Sequence, residues 1–165
     1  MFDFGRSLDE TAFVVVEQGA FSAGNDGLFV SYIETMQLPL NQVIGRICHL
    51  HSLFNFKQII CDQTGMGEGT VAVLKERLGH IVEGVIFTSK SKPDIFFNLK
   101  LLLEQKKLKF PNHFFNGDDK VKKLFFQFLS IEQEFREGSE VPRIKHAQGS
   151  HDDVVCALCL SSSYF

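Results

Sequence analysis

Apolar and polar positions predict strands in the first part of the chain and alternating helices and strands after it. Residues 11–18 form a run rich in β-branched side chains, and residues 28–38 alternate in part between apolar and polar positions. A short strand at residues 1–5 precedes them, and a turn at residues 23–27 separates them. Together these features predict an antiparallel meander of three strands.

From Pro39 onward the apolar spacing becomes helical, with Val43, Ile47 and Leu50 on one face of the first helix. The later predicted elements are a strand at 57–63, a helix ending near Gly79, a strand at 81–88, a helix from Pro93 to about Gln105, a short strand at 108–111, a helix after Asp119, a polar hairpin or loop at 131–146, and a helix at 151–162. An antiparallel meander that leads into strand–helix–strand units predicts a mixed α/β sheet with helices on both faces. This order of elements matches the ribonuclease H-like fold.

Two of the predicted helices carry apolar residues that a core would bury. In the helix after Asp119, one face is predicted to hold Val121, Leu124, Phe125, Phe128 and Leu129. In the last helix, Cys156 and Cys159 lie in a run of small apolar residues. We interpret this CxxC pair as core packing rather than as zinc ligands, for which His146 and His151 would be the nearest partners.

Composition is that of one globular domain spanning residues 1–165. The chain is 44% hydrophobic and 22% charged, and its net charge of −3 excludes a polycation that holds nucleic acid by charge alone. No apolar run reaches the roughly 20 residues of a membrane span. The N-terminus lacks the pattern of a secretory signal, and the four cysteines fall in apolar segments, as expected for buried thiols in a reducing compartment.

Acidic residues stand at three places where the predicted elements begin or end. Asp3 is in the first strand, Asp62 ends the strand at 57–63, and Asp152 and Asp153 begin the last helix. If the first strand lies beside the strand at 57–63, these carboxylates meet at one edge of the sheet. Such oxygen-rich sites suit Mg²⁺ or Mn²⁺, and two ions about 3.5–4 Å apart can promote hydrolysis of a phosphodiester. The acids therefore predict a nuclease.

Two other motifs in the chain do not fit the enzymes that they resemble. FDFG at residues 2–5 lacks the glycine-rich loop and catalytic-loop motif that a kinase requires. Gly65, Gly67 and Gly69 form GxGxG rather than GxGxxG, which favours a tight turn over a dinucleotide site. The chain also contains no GxxxxGK[ST] motif of a nucleotide-driven motor.

The sequence resembles the C-terminal nuclease domain of the large terminase subunit of tailed bacteriophages. The segments that carry the resemblance are DFGRSLDETAFVVVE, IICDQTGMGEGTVAVLKERL, VEGVIFTSKSKPDIFFNLKLLLEQKKLKFP and SHDDVVCALCL, which follow in that order over nearly the whole chain. The resemblance implies a ribonuclease H-like, metal-dependent endonuclease that cuts concatemeric DNA during genome packaging.

The same resemblance assigns the metal ligands. Asp3 would be the first-strand ligand, Asp62 the second-strand ligand, and Asp152 or Asp153 the third, all binding Mg²⁺ or Mn²⁺ and most simply two ions. Asp9 would have a supporting role, as would His151 beside the acidic pair.

The resemblance also includes two lysines, for which it leaves two roles open. Lys90 or Lys92 would lie near the DNA backbone, although a solvated lysine fits these positions equally well. The implied partners are double-stranded DNA, an N-terminal packaging ATPase domain, a small terminase subunit and the portal, in the cytoplasm of the infected bacterial host. Since such a domain follows an ATPase in full-length terminases, we expect an excised domain or a fragment. The alternatives are a Holliday-junction resolvase or a non-catalytic assembly module.

The acidic pair also has a purely structural explanation, which covers one of its two members. Ser150 as N-cap and Asp153 at the third helical position would form a capping-box pattern. Neighbouring helical residues point about 100° apart, so the two aspartates are not expected to bind one ion equally. Asp153 shares a face with Ala157 and Leu160, which slightly favours Asp153 as the ligand.

Overall fold

The fold is built on a six-stranded mixed sheet in the computed structural model, which describes residues 2–3, 10–20, 26–65, 67–110, 119–135, 142–146 and 151–165. Its strands are β1 (Phe2–Asp3), β2 (Thr11–Ala20), β3 (Asp26–Met36), β4 (Ile59–Asp62), β5 (Val82–Val85) and β6 (Leu108–Lys109), in the order β5-β4-β1-β2-β3-β6. β1–β2 and β2–β3 pair antiparallel, whereas β4 pairs in parallel with both β1 and β5. The predicted meander and its junction with the parallel strands are confirmed.

Helices cover both faces of this sheet, as predicted. They are α1 (Leu40–Phe54), α2 (Gly67–Leu78), α3 (Ser91–Glu104), α4 (Asp119–Leu129) and α5 (Asp153–Ser162). α1 and α2 pack on one face, where they form one apolar cluster with β2 and β4. α3, α4 and α5 contribute to a second cluster on the other face. In the part of the chain that is described, none of the helices has the length and apolar content to cross a membrane.

Alternation along the strands separates these two clusters. Ile59 and Cys61 of β4 belong to the α1–α2 cluster, whereas Ile60 between them belongs to the α5 cluster. Since successive strand residues point to opposite faces, Asp62 lies on the same face as Ile60 and α5. The end of β4 therefore presents its carboxylate toward the last helix.

The boundaries of two helices follow from local sequence. Pro39 is the N-cap of α1, in agreement with the prediction that it opens the helix. α2 ends at Leu78, and the next residue, Gly79, has a φ of +74°, a left-handed conformation that glycine adopts without a steric cost. Gly65, with φ +62°, makes the turn between β4 and α2, so the tight-turn interpretation of the glycines is confirmed.

The predicted apolar face of α4 is wrong in part. Leu124 is fully buried, but Phe125 and Leu129 are 41% and 83% exposed, and the polar Gln127 is only 5% exposed. The inward side of α4 thus follows residues 124, 127 and 128, an i, i+3, i+4 pattern that packs against α5. A count of apolar residues does not identify this face of α4, because its central residue is Gln127, whose side chain hydrogen-bonds to α5.

Two other predictions about the C-terminal part are confirmed. The polar stretch contains a separate antiparallel hairpin, β7 (Ile131–Glu134) with β8 (Arg143–His146). Cys156 and Cys159 are 2% and 0% exposed in the α5 cluster, as expected for core packing. Burial raises the pKa of the Cys159 thiol well above its ordinary value, as for a thiol inside an apolar core.

Candidate active site

The first two predicted ligands lie on neighbouring parallel strands. Phe2 of β1 is level with Cys61 of β4, so the next position on each strand is Asp3 and Asp62. Asp3 also lies opposite Ala12 of β2, which belongs to the α5 cluster. The backbone therefore places positions 3 and 62 at one level, where β1 and β4 end.

Asp62 is held by the turn that follows it. Its Oδ1 accepts a hydrogen bond from the Thr64 backbone N–H at 2.8 Å, and the side chain is half-buried. This turn sets the carboxylate orientation and uses one of its two oxygens. The second oxygen is a further acceptor that a cation can use.

The start of α5 is organised differently from the predicted capping box. Asp152 is the N-cap residue, without a side-chain capping bond, and Asp153 is the first helical residue. The prediction that Asp153 occupies the third helical position is wrong, and Ser150 lies outside the described residues. The helix begins at Asp153, and a residue of another element caps its first turn.

That cap is Gln127 of α4. Its Oε1 accepts hydrogen bonds from the backbone N–H groups of Val154 and Val155, at 2.9 and 3.2 Å. These N–H groups are buried and would otherwise lack an intrahelical partner. Because a neutral amide caps the helix, neither aspartate has to do so. We did not predict Gln127; its only signal was a polar residue three positions after Leu124 on the inward side of α4.

Asp152 is paired with Lys92 of α3. The Lys92 Nζ lies 2.9 Å from Asp152 Oδ2, and the two side chains are 27% and 14% exposed. The same ammonium lies 5.7 Å from the Phe87 ring centre and 5.5 Å from that of Phe96. Aromatic rings and a carboxylate thus hold the lysine in place, and its charge offsets that of Asp152.

Asp153 has a different cationic neighbour, Lys123 of α4. Burial lowers the pKa of the Lys123 ammonium, and the charge of Asp153 acts in the opposite direction. Lys123 also forms an ion pair with Glu10, which precedes β2. Each aspartate of the pair therefore has its own lysine, supplied by a different helix.

A chain of contacts connects Asp62 to the start of α5. Thr64, whose N–H binds Asp62, accepts a hydrogen bond at its Oγ1 from the Phe87 N–H at 3.0 Å. The Phe87 ring in turn contacts Lys92, which pairs with Asp152. α5 also packs against β1, β2 and β4. The structure thus brings Asp62 and the acidic pair to the same end of the sheet.

The other predicted site residues contribute less to this geometry. Lys90 and His151 are exposed, and Asp9 lies outside the described residues. Within the described residues, no group of three His, Cys, Asp or Glu side chains is close enough to hold a metal ion. For Asp3 the structure describes the backbone position alone, so the three-carboxylate site stays a prediction.

The comparisons with known proteins agree with this architecture. The family model described as the terminase RNaseH-like domain matches residues 1–164. No curated protein sequence matches the chain. The large terminase nuclease of thermophilic phage G20c with bound magnesium is 20% identical and superposes with a TM-score of 0.72, covering 98% of this chain and 78% of that one.

A second solved relative is the K428A mutant nuclease domain of the large terminase subunit gp2 of bacterial virus Sf6, with manganese and beta-thujaplicinol. It is 14% identical, with a TM-score of 0.68 over 92% of this chain and 87% of that one. At sequence identities of 14% and 20%, the similarity to these two structures establishes the fold alone. The predicted ribonuclease H-like fold, with its mixed sheet between two helical layers, is confirmed.

Proposed function

Because the chain belongs to the family of terminase RNase H-like domains, we propose that it is a metal-dependent DNA endonuclease that cuts concatemeric viral DNA during genome packaging. The observation that supports this proposal is the register of β1 and β4, which puts positions 3 and 62 at one level on two parallel strands, with α5 packed against both strands. Carboxylates concentrated at one sheet edge favour a cation as their common partner.

In this proposal Asp3, Asp62 and Asp153 hold the metal. Their carboxylate oxygens fit Mg²⁺ or Mn²⁺, the ions named in the solved G20c and Sf6 nucleases. Two bound ions would supply an activated water and stabilise the leaving oxygen of a phosphodiester. We prefer Asp153 to Asp152 because Asp153 shares a helix face with Ala157 and Leu160, which are fully buried in the cluster between α5 and the sheet.

The neighbouring side chains orient this carboxylate set. The turn at Thr64 directs Asp62, Gln127 fixes the first turn of α5, and Lys92 and Lys123 offset the negative charge of the acidic pair. Charge compensation of this kind lets several acids share one edge while they stay ionised.

The roles of the remaining predicted residues are also proposals. Lys90, which is exposed on the turn before α3, is available to a DNA phosphate. Asp9 and His151 keep their predicted supporting roles. The partners would be double-stranded DNA, a packaging ATPase domain, a small terminase subunit and the portal, in the cytoplasm of the infected host.

The test is nicking of supercoiled plasmid in Mg²⁺ or Mn²⁺ by the wild type, by Asp62→Asn, and by Asp94→Asn as a matched control at an exposed acid of α3. Asparagine retains the Oδ1 acceptor for the Thr64 N–H, so the turn is expected to survive. We expect Asp62→Asn to lower nicking by more than about 100-fold, since even indirect partners of a metal ligand contribute 10–100-fold. Asp94→Asn should cut normally.

Nicking that is unchanged in Asp62→Asn would contradict the proposed site. Preferential cleavage of four-way junctions over linear DNA would favour a resolvase instead. A wild type that neither cuts DNA nor binds Mn²⁺ in calorimetry would favour the assembly module.

A further inference from the structure

Glu10 is an acidic residue near the carboxylate site to which the sequence assigned no role. It directly precedes β2 and stands two positions before Ala12, which is level with position 3 of β1 and belongs to the α5 cluster. Since strand side chains alternate between faces, positions 10 and 12 are expected on the same side of the sheet. The ion pair of Glu10 with Lys123 agrees with this, because α4 packs on that side.

Lys123 connects Glu10 to the start of α5. It lies one helical turn before Gln127 on α4, and Gln127 accepts hydrogen bonds from two backbone N–H groups in the first turn of α5. This part of α4 therefore adjoins the acidic pair. In agreement, burial lowers the pKa of the Lys123 ammonium and the nearby charge of Asp153 raises it. The ammonium thus has two carboxylates within its electrostatic reach, those of Glu10 and Asp153.

The choice between these two carboxylates affects metal binding. The side chains of Lys123 and Glu10 are 32% and 31% exposed, so their charges are less screened than those of a fully exposed pair. A lysine that paired with Asp153 would already neutralise it, and a divalent cation would have to displace that lysine before it could bind. A lysine held by Glu10 imposes a smaller cost on the cation.

We propose that Glu10 is a positioning residue whose carboxylate holds the Lys123 ammonium away from Asp153, so that a divalent cation binds Asp153 without first displacing the lysine. This inference rests on the proposed function, in which Asp153 is a metal ligand. Glu10 acts through Lys123 and sets the metal affinity of the site.

The experiment measures the Mn²⁺ dissociation constant by calorimetry in the wild type, Glu10→Gln, Lys123→Met and the double variant. Glu10→Gln should weaken Mn²⁺ binding by about 5- to 10-fold, because Lys123 then pairs with Asp153. Lys123→Met should tighten binding, since no ammonium competes with the metal. In the Lys123→Met background, Glu10→Gln should change the constant by less than about 2-fold, because the two residues act as one unit.

Two controls separate this effect from a general change in charge or structure. Lys123→Arg keeps the positive charge and should bind Mn²⁺ within about 2-fold of the wild type. Glu104→Gln removes the acid of a comparable pair, Lys100–Glu104, which is 3.8 Å long with both side chains 59% exposed, at the opposite end of α3 from Lys92. It should leave Mn²⁺ binding unchanged. Lys123→Gln replaces Lys123→Met in the cycle if the methionine variant does not fold.

Two calorimetric results would overturn the role of Glu10. Equal weakening by Glu10→Gln in both backgrounds would mean that Glu10 acts by its own charge. Weaker binding in Lys123→Met would mean that the lysine supports the metal site instead of competing with the ion.

A wild type that binds no Mn²⁺ would contradict the proposed function, and urea unfolding without metal then tests Glu10. Asp153→Asn should lower the urea midpoint more in the Glu10→Gln background than in the wild type, because the Lys123 ammonium then loses both carboxylates. Equal shifts of the midpoint in the two backgrounds would show that Glu10 does not control the pairing of Lys123 with Asp153.

Discussion

The two ends of β1 and β4 are built by different physical means. At the carboxylate end, defined by Asp62, Asp152 and Asp153, charged side chains are matched one by one to partners on other elements. At the cavity end, defined by residues 14–18 and 56–60, the walls are aromatic rings and strand backbone. This part of the sheet thus presents specific side-chain chemistry at one end and an aromatic-lined cavity at the other.

This difference has a consequence for substitutions. The carboxylate end depends on individual functional groups, so replacing one ligand oxygen should affect metal binding strongly, and removing a charged or capping partner should cost stability. The cavity end is lined by aromatic rings and strand residues, so side-chain changes there should leave the metal site alone. The four predictions below test this contrast.

The largest effect is expected from the acidic pair itself. Asp153→Asn should reduce both Mn²⁺ affinity and plasmid nicking by more than about 100-fold, whereas Asp152→Asn should cost about 10-fold because Asp152 acts through Lys92. Calorimetry and nicking assays measure the two quantities. If Asp152→Asn has the larger effect, the assignment of Asp153 as ligand is wrong.

Lys92→Met is expected to lower the free energy of unfolding by about 1–2 kcal/mol without metal, since it leaves the Asp152 carboxylate without its ammonium partner. Mn²⁺ should stabilise this variant more than the wild type, because the metal replaces part of the missing positive charge. Urea unfolding with and without Mn²⁺ measures both effects.

The control for this substitution is Lys90→Met, at an exposed position, with an expected change below about 0.5 kcal/mol. A loss of DNA affinity in Lys92→Met without any change in stability would favour contact between Lys92 and DNA instead.

Gln127→Leu removes the acceptor that caps α5, and we expect a loss of about 1 kcal/mol in unfolding free energy. The amides of Val154 and Val155 should also exchange faster. Gln133→Leu, at an exposed position of β7, is the matched control and should leave both unchanged. Normal protection of the two amides in Gln127→Leu would mean that another group caps the helix.

The smallest effect belongs to the cavity end and appears at high pH. A hydrogen bond to Glu83, followed by burial, raises the pKa of Tyr164 from 10.0 to about 12. Because the pKa is higher in the folded state, the stabilisation is present below pH 10 and is lost as the pH rises toward 12. The Tm of the wild type should therefore fall more steeply over this range than that of Tyr164→Phe, with metal binding at neutral pH equal in both.

Local sequence was enough to predict the elements and the acids. Strand and helix periodicity placed β2, β3 and α1, and Pro39 and Gly79 marked helix boundaries, because these features depend on neighbouring residues. The parallel pairing of β1 with β4 was only a condition of the predicted site, and the structure shows it. Asp62 could be singled out because a buried strand ended in a carboxylate immediately before a glycine turn.

Tertiary structure alone decided the partners of those residues. Lys92 and Asp152 are 60 positions apart, and the Gln127 cap bridges 27 and 28 positions to α5. No local pattern encodes which lysine meets which aspartate, or that a glutamine replaces the predicted serine cap, since both depend on how α3 and α4 pack against α5. The cavity lined by residues 14–18 and 56–60 likewise forms only where β2, the start of β4 and the C-terminal residues come together, so no single stretch of the sequence encodes it.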